Sequence, residues 1–339
     1  MSDDHRDRPA SLEHDDPRQI VTLPDGSVDR WYTLGGSGGD RFESADAFAD
    51  RLAAGDRTFS LEPTAVRPGG QAVNAARQVH ALGDRPTLIG HLDHPVFPDF
   101  PFETRSMGPP ATVRVVDVGG EELQLAEPGP TEDWGLAELL AVVDWDRLVA
   151  ADALCCTNWV SVRGLTTVFD RLAATPPADP LPIVVDPGPI ETVDPAALEG
   201  LFDALSRADR ADGSITVVLS VNPTEFRAAA RVVDVDAEPT ADSLAALRAA
   251  LGLTGVVFHG ADAAIGATRA ETAVAEMYDV GDPRRTTGAG DRFSAGLTCA
   301  LARGWALEPA LSLGNACAAH FVETGDTADP AAVRALRED

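Results

Sequence analysis

Residues 284–296, RRTTGAGDRFSAG, place Gly288, Ala289 and Gly290 directly before Asp291 at what reads as a helix start. Small residues let a backbone approach a ligand closely, and a helix N-terminus presents free N–H groups to an anion. A carboxylate there repels an anion, unless it has a proton to take. A glycine-rich turn can hold the oxygens of a phosphoryl group in transfer, its fixed N–H dipoles lowering the barrier, while Asp291 accepts the proton of an attacking hydroxyl. The residues alone are served equally by a tight turn in which Asp291 simply caps the helix.

Two further stretches carry candidate chemistry. RPGGQAVNAARQVHALG sets Gly69 and Gly70 ahead of Asn74, and SVNPTEF holds Asn222 and Glu225 at the end of an apolar strand. Parallel sheets bind ligands beyond the carboxyl ends of their strands, where a carboxylate could hold magnesium directly or through water. Taken alone, NPTE reads as a strand-to-helix turn with ordinary capping. His91 and His94 sit in a Pro-rich stretch without further ligands at useful spacing. Cys155, Cys156, Cys299 and Cys317 form no C-x-x-C pair and read as buried free thiols. The glycine-rich GGSGGD at 35–40 has the wrong spacing for a dinucleotide fingerprint and reads as a lid turn.

The elements that position these residues follow from periodicity. QIVTLPDGSV reads as a strand, SADAFADRLAAG as a helix capped by Ser44, and RTFSLEPTAV as extended chain. QAVNAARQVHALG reads as a helix closed by Gly83, and RPTLIGHL as a strand. Residues 95–110 carry too many prolines for a regular helix, and ATVRVVDVGGEELQLAEPG reads as a hairpin turning at Gly119-Gly120. From about residue 131, short apolar strands (DALCCTNWV, PLPIVVDPG, SITVVLSVNP, TGVVFHG) alternate with helical stretches. That rhythm predicts an α/β fold with a mainly parallel sheet covered on both faces, plus a small β appendage.

Composition narrows the function classes. The 339 residues carry 27 basic against 54 acidic side chains, net −27, and every basic residue is arginine. This suits a protein kept soluble by an acidic surface in a very salty cytoplasm, and no clustered basic footprint for nucleic acid appears. No apolar run is long enough to span a bilayer, and the acidic N-terminus carries no apolar signal segment, so a cytoplasmic location is expected.

Together and in this order, the three motifs resemble those of the ribokinase-like (PfkB-type) carbohydrate kinases, over about residues 20–335. The resemblance implies a three-layer sandwich with a small β lid. Residues 1–18 would be a disordered acidic tail and 19–339 the kinase domain, with lid strands from about 30–68 and 104–128. It implies magnesium-dependent transfer of the terminal phosphoryl group of ATP to a hydroxyl of a sugar or sugar phosphate. A nucleoside acceptor is the alternative, with Trp31, Tyr32 or Trp159 stacking on the base, although core or lid packing serves these rings equally; a catalytically silent sugar- or nucleotide-binding protein is the alternative of another class.

Carried over residue by residue, Asp291 is the general base and Gly288, Ala289 and Gly290 the anion hole. Gly69, Gly70 and Asn74 hold acceptor hydroxyls. Asp29 lies where the family places a sugar-binding aspartate, although a surface turn competes there. Asn222, Gly260, Thr287 and Asn315 would face the nucleotide, although Asn315 is served as well by a satisfied polar place in an Ala-rich helix, and Glu225 would hold magnesium. Arg67, Arg105 and Arg114 are candidates for an anionic group on the acceptor, although each taken singly reads more readily as a solvated arginine balancing the acidic surface.

Three departures stand out. Arg285 replaces an acidic or small polar residue through which some members bind potassium; an arginine opposes a cation, which argues against a potassium requirement. In VVFHGADAA, Phe258 and Ala263 replace the threonine and last glycine of the family's Thr-x-Gly-x-x-Gly. The Pro-rich 95–110 segment stands where the family commonly has a helix. The lid hairpin offers strand edges through which a homodimer could form.

Overall fold

Each apolar run between turn residues is too short for a helix and too continuous to face water, so the runs assemble into sheets. The structure, a computed structural model, describes residues 12, 16–281 and 283–338. In chain order the elements are β1 (Gln19–Leu23), β2 (Ser27–Gly35), α1 (Ala45–Ala53), β3 (Ser60–Gly69), α2 (Gln71–Ala81), β4 (Arg85–Gly90), β5 (Glu103–Ser106), β6 (Ala111–Val118) and β7 (Glu121–Glu127). They continue as α3 (Leu136–Val142), α4 (Trp145–Val149), β8 (Ala153–Thr157), α5 (Leu165–Ala174), β9 (Leu181–Asp186), α6 (Pro195–Arg210), β10 (Ile215–Val221), α7 (Pro223–Val232) and α8 (Ala241–Leu251). Last come β11 (Gly255–His259), β12 (Ala263–Thr268), β13 (Thr272–Glu276), α9 (Ala289–Leu301), α10 (Leu307–Thr324) and α11 (Pro330–Glu338).

The main sheet runs β13-β12-β11-β10-β9-β8-β1-β4-β5. It is parallel from β11 to β5, with β12 and β13 added antiparallel at the other end. Alternate residues of each strand enter different cores. Leu154, Cys156, Ile183 and Val185 pack with helices α3–α8, whereas Cys155 and Val184 pack with α2, α9, α10 and α11. This is the expected three-layer arrangement. The lid is a separate sheet, β3-β2-β6-β7, with its own small core of Leu34, Val116 and Val118 against Phe42, Phe48 and Phe59. Among the described residues no helix is long and apolar enough to cross a membrane.

Several local expectations hold. The Ser44 hydroxyl accepts from the Ala47 N–H at 3.2 Å, Gly83 takes a positive φ after α2, and Gly119-Gly120 turns the β6–β7 hairpin. All four cysteines are buried and free. Others need correction. QIVTLPDGSV is not one strand but two, in different sheets. The chain breaks at Pro24–Gly26 because it crosses the end of β4 there, where a Cβ on Gly26 would lie 2.4 Å from the His91 carbonyl oxygen. The segment at 103–106 is not lid but the edge of the main sheet, hydrogen-bonded to β4. The expected acidic tail lies, up to residue 15, outside the described residues except Leu12, which is buried in the core.

Candidate active site

The carboxyl ends of β1, β8 and β9 meet the N-terminal turns of α2 and α9, and carboxylates gather there. Helix α2 begins at Gly70, which has no side chain to cap it. Asp25, from the β1–β2 crossing, does so instead, accepting from the N–H of Gln71 at 3.0 Å and of Ala72 at 2.7 Å. It also accepts from the Asn158 amide at 2.8 Å and the Thr157 hydroxyl at 3.3 Å. The paired glycines let these segments touch. A Cβ on Gly69 would lie 2.2 Å from the Asp29 carboxylate oxygens, and one on Gly70, at φ +106°, 2.7 Å from Gly26 Cα. Asp29 accepts from the Ser27 hydroxyl at 2.6 Å. Burial holds its carboxyl above the usual range, partly offset by that bond and by the charge of Arg285.

Asp291 stands in the first turn of α9, after Gly288 at φ +96°. Its Oδ2 accepts from the Asn74 amide at 2.8 Å rather than capping its own helix. Burial raises its pKa; the neighbouring Arg292 charge and the hydrogen bonds from Asn74 and Gln71 pull it back. One turn further, the Ser294 hydroxyl donates to Asp186 at 2.9 Å and lies 3.0 Å from that of Ser220. Asp186, only 3% exposed at the end of β9, is pushed up to about 7 by burial and then by the Asp291 charge.

Along the same edge, Asn222 and Glu225 form a reciprocal capping box on α7. The Asn222 side chain accepts from the N–H of Thr224 and Glu225, and Glu225 Oε2 accepts from the Asn222 N–H at 2.9 Å. Glu225 is nonetheless raised to about 9, chiefly by burial and next by the Asp186 charge. Two buried carboxylates that disfavour ionisation offer hard oxygens to a divalent cation, and magnesium is ordinarily held by one or two carboxylates with several waters retained. Asp186 and Glu225 fit that pattern. Among the described residues no group of three or more His, Cys, Asp or Glu side chains could hold a metal ion.

The remaining expected residues are placed unevenly. Gly260 opens the β11–β12 turn, its N–H donating to the Ala263 carbonyl at 3.0 Å. Gly290 packs over His259, whose ring stacks on Phe293 with centroids 4.9 Å apart and whose pKa burial lowers to about 4. The Thr287 hydroxyl donates to Glu122 of β7, joining the turn before α9 to the lid.

Asn315 is not exposed. It is fully buried and its amide donates to the carbonyls of Ala275 and Glu276 at 3.0 and 3.1 Å, fastening α10 to β13. Arg105 is not at the acceptor side. On edge strand β5 it pairs with Glu103 at 2.8 Å, beside Val143 and Arg147. Arg114 pairs with Glu127 across the β6–β7 hairpin. Trp159 is 3% exposed and donates to the Thr166 hydroxyl at 2.8 Å, so it is core rather than a stacking platform. Tyr32 packs in the lid core. Trp31 lies between Arg67 and Arg285. His91 contacts the Pro24 carbonyl, and His94 accepts from the Val96 N–H.

The site also contains residues that motif reading passed over: Asp25, Gln71, Asn158, Asp186, Arg292 and Ser294. Asp186 and Asn158 carried the same signal as Asn222, a polar residue at or just beyond the end of an apolar strand.

With this geometry in view, a family model described as prokaryotic ketohexokinase matches residues 9–339. The ketohexokinase of Haloferax volcanii is 30% identical over 311 residues, covering 84% of this chain and 80% of that protein. The ribokinase of Arabidopsis thaliana, solved with ribose and ATP, superposes with a TM-score of 0.67 at 18% identity, covering 96% of this chain and all of that one. The Thermotoga maritima ribokinase gives 0.65 at 16% identity, covering 95% and 99%.

Proposed function

The chain belongs to the prokaryotic ketohexokinase family, and from that premise we propose that it transfers the terminal phosphoryl group of ATP to a hydroxyl of a ketohexose. A sugar kinase activity is what the family carries; the acceptor and the residue roles are our reading. The observation that carries it is the Asp291 carboxylate, buried at the N-terminus of α9 beside the Gly288–Gly290 turn and held by Asn74.

In this reading the acceptor sits between lid and sheet, its hydroxyls held by Asp29 and Asn74. Asn74 orients the Asp291 carboxylate, which takes the proton of the attacking hydroxyl. The N–H groups of the Gly288–Ala289–Gly290 turn receive the charge on the phosphoryl group as it passes in line from donor to acceptor. Asp186 and Glu225 would hold magnesium, which when bound neutralises the donor phosphates. Arg285 and Arg292 place fixed positive charge around the turn, so no potassium ion is required for it. The lid, joined to the turn through Thr287 and Glu122, excludes water that would otherwise take the phosphoryl group.

The test is nucleoside diphosphate release with ATP and magnesium in concentrated KCl. Ketohexoses, other free sugars, sugar phosphates, sugar acids and nucleosides are compared, with Asp291→Asn alongside. Turnover on a ketohexose that falls by about 10²- to 10⁴-fold in the variant is expected. Turnover only on another acceptor class would replace the substrate reading, and full activity in the variant would remove Asp291 as the base.

A further inference from the structure

Between the lid and α10, three guanidinium groups alternate with two aromatic rings. Arg67 lies 5.3 Å and Arg285 5.4 Å from the centre of the Trp31 ring. Arg285 also lies 5.2 Å, and Arg292 4.6 Å, from the centre of Phe321. The Arg77 guanidinium, on α2 one turn beyond Asn74, lies 5.5 Å from the centre of the Phe100 ring, and its charge and that of Arg285 disfavour the charge of Arg292. Among the described residues none of these four arginines has a carboxylate within 4 Å, in a chain with twice as many acidic as basic side chains. Arg292 is 4% exposed, and its Nε and Nη1, with Nε of Arg285, are buried without a hydrogen-bond partner.

Stacking on rings fixes the planes of the guanidinium groups but satisfies none of their in-plane N–H donors. Like charges brought together in a poorly solvated place repel, and unpaired buried donors are costly. Both problems are relieved by one ligand: an anion with several oxygens accepting in the guanidinium planes. Asp291, which favours the charge of Arg292, and Asp29, whose charged form Arg285 favours, already accept from Asn74 and Ser27. They also mark the cluster as lying beside the acceptor pocket. Arg292 is buried, and Arg77 and Arg285 are half-buried.

We infer that Arg77, Arg285 and Arg292 form an anion subsite beside the acceptor pocket that binds the phosphate of a phosphorylated ketose. The inference rests on the ketohexose reading for the sugar part of that ligand. The phosphate has two sources: the one the reaction installs, held on the product, or one already present on an incoming sugar.

The test is calorimetric titration of the full chain, without nucleotide and at fixed ionic strength, with a ketohexose, its 1- and 6-phosphates and inorganic phosphate. At least one ketohexose phosphate should bind about tenfold or more tightly than the free ketohexose. That advantage should vanish in Arg285→Met and partly survive in Arg285→Lys. Arg77→Met serves as the second variant should Arg285→Met fail to fold. A preferred phosphate that is also turned over with ATP identifies an acceptor; one that only binds identifies product retention. Equal binding of free and phosphorylated ketose, or an advantage that survives both methionine variants, would overturn the subsite. Because the readout is binding without nucleotide, it stands or falls apart from the phosphotransfer reading, which fails by absent turnover.

Discussion

The Asn74 side chain donates to Asp291 Oδ2 at 2.8 Å across 217 residues of sequence, tying the first turn of α2 to the first turn of α9. A buried carboxylate, which in the proposed mechanism must ionise to accept a proton, is thereby given a donor that favours its charged form.

Asn74→Ala should therefore raise the Asp291 pKa. The base must be ionised to act, so the acid limb of the kcat/KM profile should move to higher pH, with kcat/KM lower by about ten- to a hundredfold for a lost charge-assisted hydrogen bond. A rate loss with an unmoved acid limb would mean that Asn74 acts on the sugar alone.

The paired glycines should separate into two phenotypes. Gly69→Ala drives a methyl into the Asp29 carboxylate and should raise KM for the sugar more than it lowers kcat. Gly70→Ala meets the backbone at Gly26 and requires φ +106°, so it should cost about 1–3 kcal/mol of stability. Steady-state kinetics and urea unfolding of both variants check the division; an unchanged sugar KM in the first would remove Asp29 from the acceptor site.

Magnesium and pH should be linked. Asp186 and Glu225 have native pKa values of about 7 and 9, above their ordinary 3.8 and 4.5. The folded protein thus binds more protons than the unfolded chain between those limits, and this contribution to stability falls as pH rises through them. Without divalent cations the thermal midpoint should drop between about pH 5 and about pH 9, and magnesium should restore more of it at the alkaline end. Glu225→Gln keeps an oxygen for the Asn222 N–H and should flatten both trends. A magnesium effect independent of pH would exclude these carboxylates as its site.

Potassium should be dispensable. Arg285 already sets a guanidinium between Trp31 and Phe321. Activity in sodium and potassium salts of equal ionic strength should agree within about twofold. Strongly potassium-specific turnover would contradict the role given to Arg285.

What the sequence determined by itself was local. The Gly-Ala-Gly-Asp helix start, the Ser44 cap, the Gly119-Gly120 hairpin and the strand–helix alternation each depend on a few consecutive residues whose backbone preferences suffice. Asn222 and Glu225 also belong here: their capping box is a four-residue pattern, and local reading described its geometry correctly. The tertiary structure decided what depends on a partner far along the chain. A four-residue strand such as β5 has no pattern that tells a lid from a sheet edge; only pairing with β4 assigns it. Asp25 sits in a stretch that reads as one strand until the bare N-terminus of α2 is brought against it, and Asn315 reads as facing the nucleotide until the β13 carbonyls arrive. The arginines follow the same rule. Their number was plain, but which of them lose their carboxylates and meet around Phe321 is set by helix packing, because burial and charge pairing are properties of neighbours in space.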